Sequence, residues 1–200
     1  MGDDLRLIKE THTYINADQK VIPSVSEIIA CLSNLVYGDV DKYLLEKAAE
    51  RGTAIHEMFQ VLYKEKIVDC PYEYSGYLEA SAKFIKDVEL LEYFAEESFE
   101  SKEGFAGTID IYGQGNGKLT LYDLKTSSRV SNKNLVVYEA QLNLYRRLLE
   151  EHCYSVEQMF IVHLKKDGTY KLYEIPKSDN LADACLLIYK RMNEKKRRSK

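Results

Sequence analysis

The sequence predicts a mixed α/β fold, a central mixed β-sheet flanked by helices. Three observations carry this. A strongly helical region occupies 39–66, before any long strand. A glycine-punctuated hairpin follows, from Glu103 to Lys125. A helical segment at 134–151 then separates that hairpin from the apolar run Met159–Leu164, which is the arrangement of a crossover between parallel strands. Two hundred residues suit one domain spanning 1–200, with 45% hydrophobic and 30% charged residues, an ordinary soluble composition. No apolar run reaches membrane-spanning length.

The opening residues MGDDLRLIKE are acidic and lack the apolar core of a secretory leader, so a cytoplasmic location is expected. Cys31, Cys70, Cys153 and Cys185 lie far apart without a Cys-x-x-Cys pair, which suits reduced thiols rather than a disulfide scaffold or zinc ribbon. The net charge of −4 argues mildly against a sequence-independent nucleic-acid binder, which is usually basic. The charge is uneven. Glu96, Glu97, Glu100 and Glu103 cluster together, and five of the six residues Lys195–Lys200 are basic, a solvated tail or helix end.

Residues 12–22, HTYINADQKVI, read as a small hairpin turning near Ala17-Asp18-Gln19. Ser24-Val25-Ser26-Glu27 is a capping-box pattern and opens a short helix, 27–32. In the helix at 39–66, Leu44, Leu45, Ala48, Ile55, Phe59 and Leu62 recur at helical spacing and form the expected buried stripe. Gly52 interrupts it at a cost of about 1 kcal/mol relative to alanine, so close approach of another backbone is expected there. His56 borders the stripe. It reads either as a boundary residue or as a metal ligand. Arg51 reads as a solvated charge or as a contact for phosphate.

Cys70-Pro71 ends that helix, and a second runs over 75–90 with Leu78, Ala82, Ile85 and Val88 or Glu89 inward. Residues 94–101 form a strand. Glu97 on this strand is a candidate supporting acid, and the sequence does not separate it from Glu100. In the hairpin, Ile109 and Ile111 flank Asp110. The turn holds three glycines and an asparagine in Gly113–Gly117. On the second strand Leu119, Leu121, Asp123 and Lys125 share one face, while Thr120, Tyr122 and Leu124 share the other. Asp123 and Lys125 are then roughly 6–7 Å apart, with Asp110 on the facing strand.

Two carboxylates and a lysine at a strand end suit a specific chemistry. The carboxylates hold a hard divalent cation, which neutralises charge on a phosphoryl oxygen. The lysine positions water or stabilises the transition state. An isolated Asp-x-Lys is more often a surface ion pair; Asp110 and the other motifs reverse that balance. On the helix at 134–151, Val137, Ala140, Leu144 and Leu148 mark the core, and Gln141 and Tyr145 project one turn apart. They can hydrogen-bond a phosphate, a base edge or the lysine. Strands at 159–164 and 170–175 and a closing helix at 179–193 complete the chain.

RGTAIH at 51–56, GTID at 107–110, DLK at 123–125 and QLNLY at 141–145 occur in this order. The ordered set resembles the RecB-like branch of the PD-(D/E)XK nuclease superfamily, including small phage-type exonucleases. That resemblance implies a restriction-endonuclease-like sheet and a DNA phosphodiesterase. It implies that His56, Asp110, Asp123 and the Leu124 main-chain carbonyl bind Mg²⁺ or Mn²⁺. Lys125 would be the catalytic lysine, acting with Asp110 and Asp123. Gln141 and Tyr145 would serve the substrate, beside Arg51 where that residue is the phosphate contact. Some relatives carry an iron–sulfur cluster; with Cys153 and Cys185 isolated, none is expected here. A nucleotide-binding loop is also missing, so a partner protein of recombination or single-strand binding, or a homo-oligomeric ring, would be needed for processive action. The expected activity is a DNA exonuclease of phage recombination or repair. A structure-specific endonuclease and a non-catalytic nucleic-acid-binding module are the alternatives.

Overall fold

A computed structural model describes residues 5–8, 11, 13–38, 41–65, 69–89, 92–115 and 117–198. The expected acidic start, His12, hairpin residue Asn116 and the last two residues of the basic tail lie outside them. Among the described residues, no helix is long and apolar enough to cross a membrane.

The chain opens with β1 (Arg6–Ile8), β2 (Thr13–Ile15) and β3 (Val21–Ile22), a small antiparallel sheet in that order. The hairpin at 12–22 is therefore present, with a third strand that three residues were too few to announce. Next comes α1 (Val25–Tyr37), longer than the sequence suggested. Its capping box forms as expected: the Glu27 N–H donates to Ser24 Oγ at 3.1 Å, and the Ser24 N–H donates to Glu27 Oε2 at 2.7 Å. Helices α2 (Lys42–Glu65) and α3 (Ser75–Val88) follow.

The main sheet holds β4 (Glu92–Ser101), β5 (Phe105–Gly115), β6 (Lys118–Lys125), β7 (Gln158–Leu164) and β8 (Tyr170–Glu174), in the order β4-β5-β6-β7-β8. Helix α4 (Asn132–Glu151) is the expected crossover, and it returns the chain so that β7 pairs parallel to β6 while the other neighbours are antiparallel. Helix α5 (Asn180–Arg198) closes the chain and carries part of the basic tail.

The sheet separates two apolar layers. Beneath α1, α4 and α5 lie Phe105, Ile109, Leu121, Met159 and Ile161. On the other face Ile55 and Phe59 of α2 and Tyr77 and Phe84 of α3 pack on Ile111, Tyr122, Leu124 and Val162. The alternation expected on β6 is thus present: Leu121 meets one layer, Tyr122 and Leu124 the other.

Two helical stripes need correction. Leu44 and Leu45 are 61% and 58% exposed, because the part of α2 that packs on the sheet layer is its second half, through Ile55, Met58, Phe59 and Tyr63. In α3 the buried face is Tyr77, Ala80, Ser81 and Phe84, not the line through Leu78 and Ala82. Both lines have helical spacing, and the pair of aromatic rings buries more area than Leu78 with Ala82.

Candidate active site

Asp110 and Asp123 stand where the β5–β6 ladder opens. The pairing runs from Gly115↔Lys118 to Ile111↔Tyr122 and goes no further. Beyond it the Leu124 N–H donates to Asp110 Oδ2 at 2.7 Å, so a carboxylate replaces the next backbone acceptor. The strands also change face here. Ile109 packs under α4 and Ile111 under α2, although period two would put both on one side. Opposite Asp110 on β4, Glu96 has φ +57, a left-handed backbone within a strand. Such a conformation costs of order 1–3 kcal/mol in a non-glycine residue. Before Glu96, Tyr93 and Ala95 face the α2 layer; after it, Phe99 faces the α4 layer.

This inversion aims Glu96 at α2. His56 Nδ1 lies 3.2 Å from Glu96 Oε1 and 3.4 Å from Asp110 Oδ1. One ligand atom from each of His56, Glu96 and Asp110 falls within 4.8 Å of the others. Donors bound at about 2.1 Å to one cation lie at most about 4.2 Å apart, so the three groups stand close to the spacing that a single divalent ion requires. A donor set of two carboxylates and one imidazole fits a first-row or alkaline-earth cation. Burial opposes protonation of His56, but Asp110 and Glu96 outweigh it and push the imidazole up to about 10. Burial likewise opposes ionisation of Asp110, yet His56, Lys125 and the Leu124 N–H hold its carboxyl below the usual range.

Asp123 and Lys125 sit beside this group. Asp123 is 1% exposed, and its Oδ2 lies 2.5 Å from Lys125 Nζ. The contact is a close, charge-assisted ion pair that ties the lysine to the carboxylate. Burial pushes the Asp123 carboxyl up to about 6 against the pull of Lys125. Burial also disfavours charge on Lys125, but Asp123 and Asp110 outweigh it and raise its amine. Its ammonium stands 5.2 Å from the centre of the Tyr138 ring.

A cleft of about 330 Å³ opens over the group, walled by Gly52, Thr53, Glu57 and Gln60 of α2, Tyr14 of the small sheet, and Tyr145. The Gln141 amide donates to Tyr145 Oη at 3.2 Å. Tyr145 reaches the wall because Gly107 has no side chain: a Cβ there would lie 2.7 Å from Tyr145 Cε1 and 2.9 Å from Val25 Cγ2.

The structure therefore brings His56, Asp110, Asp123, Lys125, Gln141 and Tyr145 to one region. Leu124 joins through its N–H. Two expectations change, those for the supporting acid and for Gly52. Glu97 accepts from Tyr112 Oη at 2.5 Å and Glu100 from Asn16 Nδ2 at 3.3 Å, so neither turns to His56. Glu96 takes that place; strand alternation alone gave no signal for it, because the left-handed residue resets the alternation. Gly52 meets no atom within 4 Å of an added Cβ, so it keeps the cleft wall open rather than admitting a neighbouring backbone. Arg51 lies outside the cleft lining, with a buried Nε that has no hydrogen-bond partner.

The sequence profile of the PD-(D/E)XK nuclease superfamily matches residues 33–197. No curated protein sequence matches the chain. Among solved structures, it is similar to a protein designated SSO0001, with 17% identity and a TM-score of 0.45 over 84% of this chain and 74% of that one. It is also similar to an alkaline exonuclease, LHK-Exo, from Laribacter hongkongensis, with 14% identity and a TM-score of 0.42 over 88% of this chain and 89% of that one.

Proposed function

The chain belongs to the PD-(D/E)XK nuclease superfamily, and from that premise we propose that it is a deoxyribonuclease dependent on Mg²⁺ or Mn²⁺ that removes nucleotides from DNA ends. One observation carries the reading. His56 from α2, Glu96 from β4 and Asp110 from β5 converge on a common point, next to the Asp123–Lys125 pair. Separate elements contributing a nitrogen, two carboxylates and a flanking buried ammonium suit phosphodiester hydrolysis better than any surface ion pair.

In this reading His56, Glu96, Asp110 and Asp123 hold the cation, with the Leu124 carbonyl as a further donor. When bound, the ion neutralises charge on the scissile phosphate. Lys125, kept charged by Asp123 and Asp110, orients the attacking water and stabilises the developing negative charge. Gln141 fixes the hydroxyl of Tyr145, which lies at the cleft wall where a nucleotide would rest. Arg51 contacts a backbone phosphate farther along α2. The preference for ends follows the motif order shared with phage-type exonucleases, as does a place in phage recombination or repair. A recombination or single-strand-binding partner, or self-association, supplies processivity.

Digestion of end-labelled linear DNA and of covalently closed circular DNA, each with Mg²⁺ or Mn²⁺, tests the proposal. Linear DNA should be degraded from its ends and the circle spared. Cutting of the circle would replace the exonuclease reading with an endonuclease. Failure to cut either, with an intact fold, would favour a binding module.

A further inference from the structure

His163 lies on β7 directly opposite Lys125 in the parallel ladder, so the two side chains leave the same face of the sheet. It is 3% exposed. Its Nε2 lies 2.7 Å from the carbonyl oxygen of Ser127. A carbonyl only accepts, so Nε2 carries the hydrogen. The other ring nitrogen, Nδ1, is buried and has no hydrogen-bond partner. Among the described residues the ring's one hydrogen bond therefore goes to an atom two residues beyond Lys125, while its plane lies against the Tyr173 ring, 6.3 Å between centres.

Ser127 begins the turn from β6 into α4. The turn ends at Ser131, whose hydroxyl accepts from the Asn134 N–H at 3.3 Å and caps the helix. Two turns into α4 stands Tyr138, whose ring faces the Lys125 ammonium. The Ser127 segment thus joins the two elements that define the position of Lys125: the end of its own strand, and the helix whose ring packs on its ammonium.

We infer that His163 is a positioning residue, a clamp on the Ser127 carbonyl that holds Lys125 and Tyr138 in register beside Asp123. This inference rests on the proposed role of Lys125 and adds to it the group that fixes the lysine. A merely structural role would demand only that the half-buried carbonyl have some partner. A clamp demands that a donor be held at the Nε2 position, because displacement of a reacting group by about 1 Å can lower turnover by about 100-fold.

The test compares His163→Gln, whose amide nitrogen can reach the Nε2 position, with His163→Asn, whose shorter arm cannot, and with His163→Leu, which has no donor. Each full-length variant is assayed for kcat and KM on end-labelled DNA with Mn²⁺. Each is also examined by NMR with ¹³Cε-labelled lysine, where the Tyr138 ring displaces the Lys125 signal from those of exposed lysines. His163→Asn and His163→Leu should lose about 10- to 100-fold in kcat at unchanged KM, and their Lys125 signal should move toward the exposed position. His163→Gln should retain both the turnover and the signal. Undiminished kcat and an unmoved Lys125 signal in His163→Leu would overturn the clamp, as would a Gln variant as defective as Leu. If His163→Leu does not fold, the Gln and Asn variants decide. If the wild type cuts no DNA, the nuclease reading fails, and the Lys125 signal alone still decides whether His163 holds the lysine.

Discussion

Two glycines from the motifs give substitutions of opposite sign, and the structure sets both. At Gly107 a Cβ would lie 2.7 Å from Tyr145 Cε1, 2.9 Å from Val25 Cγ2 and 3.1 Å from Leu148 Cδ1. All three neighbours are buried side chains, at 7%, 1% and 0% exposure, so an added methyl has to displace packed groups. Overpacking of this kind costs about 1–3 kcal/mol. At Gly52, within α2, a Cβ meets nothing within 4 Å. Alanine there removes the helix penalty of glycine, a gain of about 1 kcal/mol. For a chain of this length each kcal/mol moves the midpoint of thermal unfolding by about 2–4 °C. Gly107→Ala should therefore lower the midpoint by about 2–12 °C, and Gly52→Ala should raise it by about 2–4 °C. Circular dichroism melts of the two variants and the wild type, without added metal, read this directly. An unchanged midpoint for Gly107→Ala would refute the claim that this glycine exists to seat Tyr145. A lowered midpoint for Gly52→Ala would refute the claim that α2 is unobstructed at the cleft.

Lys125→Ala should reduce cleavage of end-labelled DNA by about 10²- to 10⁴-fold while the far-ultraviolet spectrum stays native; wild-type turnover would remove its role. Calorimetric titration with Mn²⁺ at pH 7 in buffers of different protonation enthalpy should show proton release. His56, held up to about 10 by Asp110 and Glu96 against burial, must surrender its proton to ligate. In the same titration Glu96→Gln should bind Mn²⁺ roughly 10- to 100-fold more weakly. Asp179 accepts from Arg146 Nη2 at 2.5 Å and from Arg147 Nε at 2.9 Å. Burial opposes its ionisation, but the two arginines prevail and hold its carboxyl below the usual range. A depressed carboxylate stabilises the fold above its unfolded pKa of about 3.9 and loses that contribution as pH falls through the folded value. Urea melts should therefore show the wild type more stable than Asp179→Asn at pH 5–7, with the gap closing below about pH 3.9.

The sequence alone determined the longer elements and their order, because the signals for these are local. Glycines at 113–117 mark the hairpin turn, Ser24 and Glu27 cap α1, and the segment from 134 to 151 has the length and periodicity of a crossover helix. Alternation on β6 likewise put Asp123 and Lys125 on one face. Tertiary structure decided what no single segment encodes. Whether Leu44 and Leu45 are covered depends on which part of α2 packs on the sheet layer, and which line of α3 is inward depends on the ring-filled layer it meets. Glu96 replaces Glu97 beside His56 because one left-handed residue inverts β4 against Asp110. Period-two reasoning assumes an unbroken strand, and the strain that breaks it is held in place only by the packing on both faces.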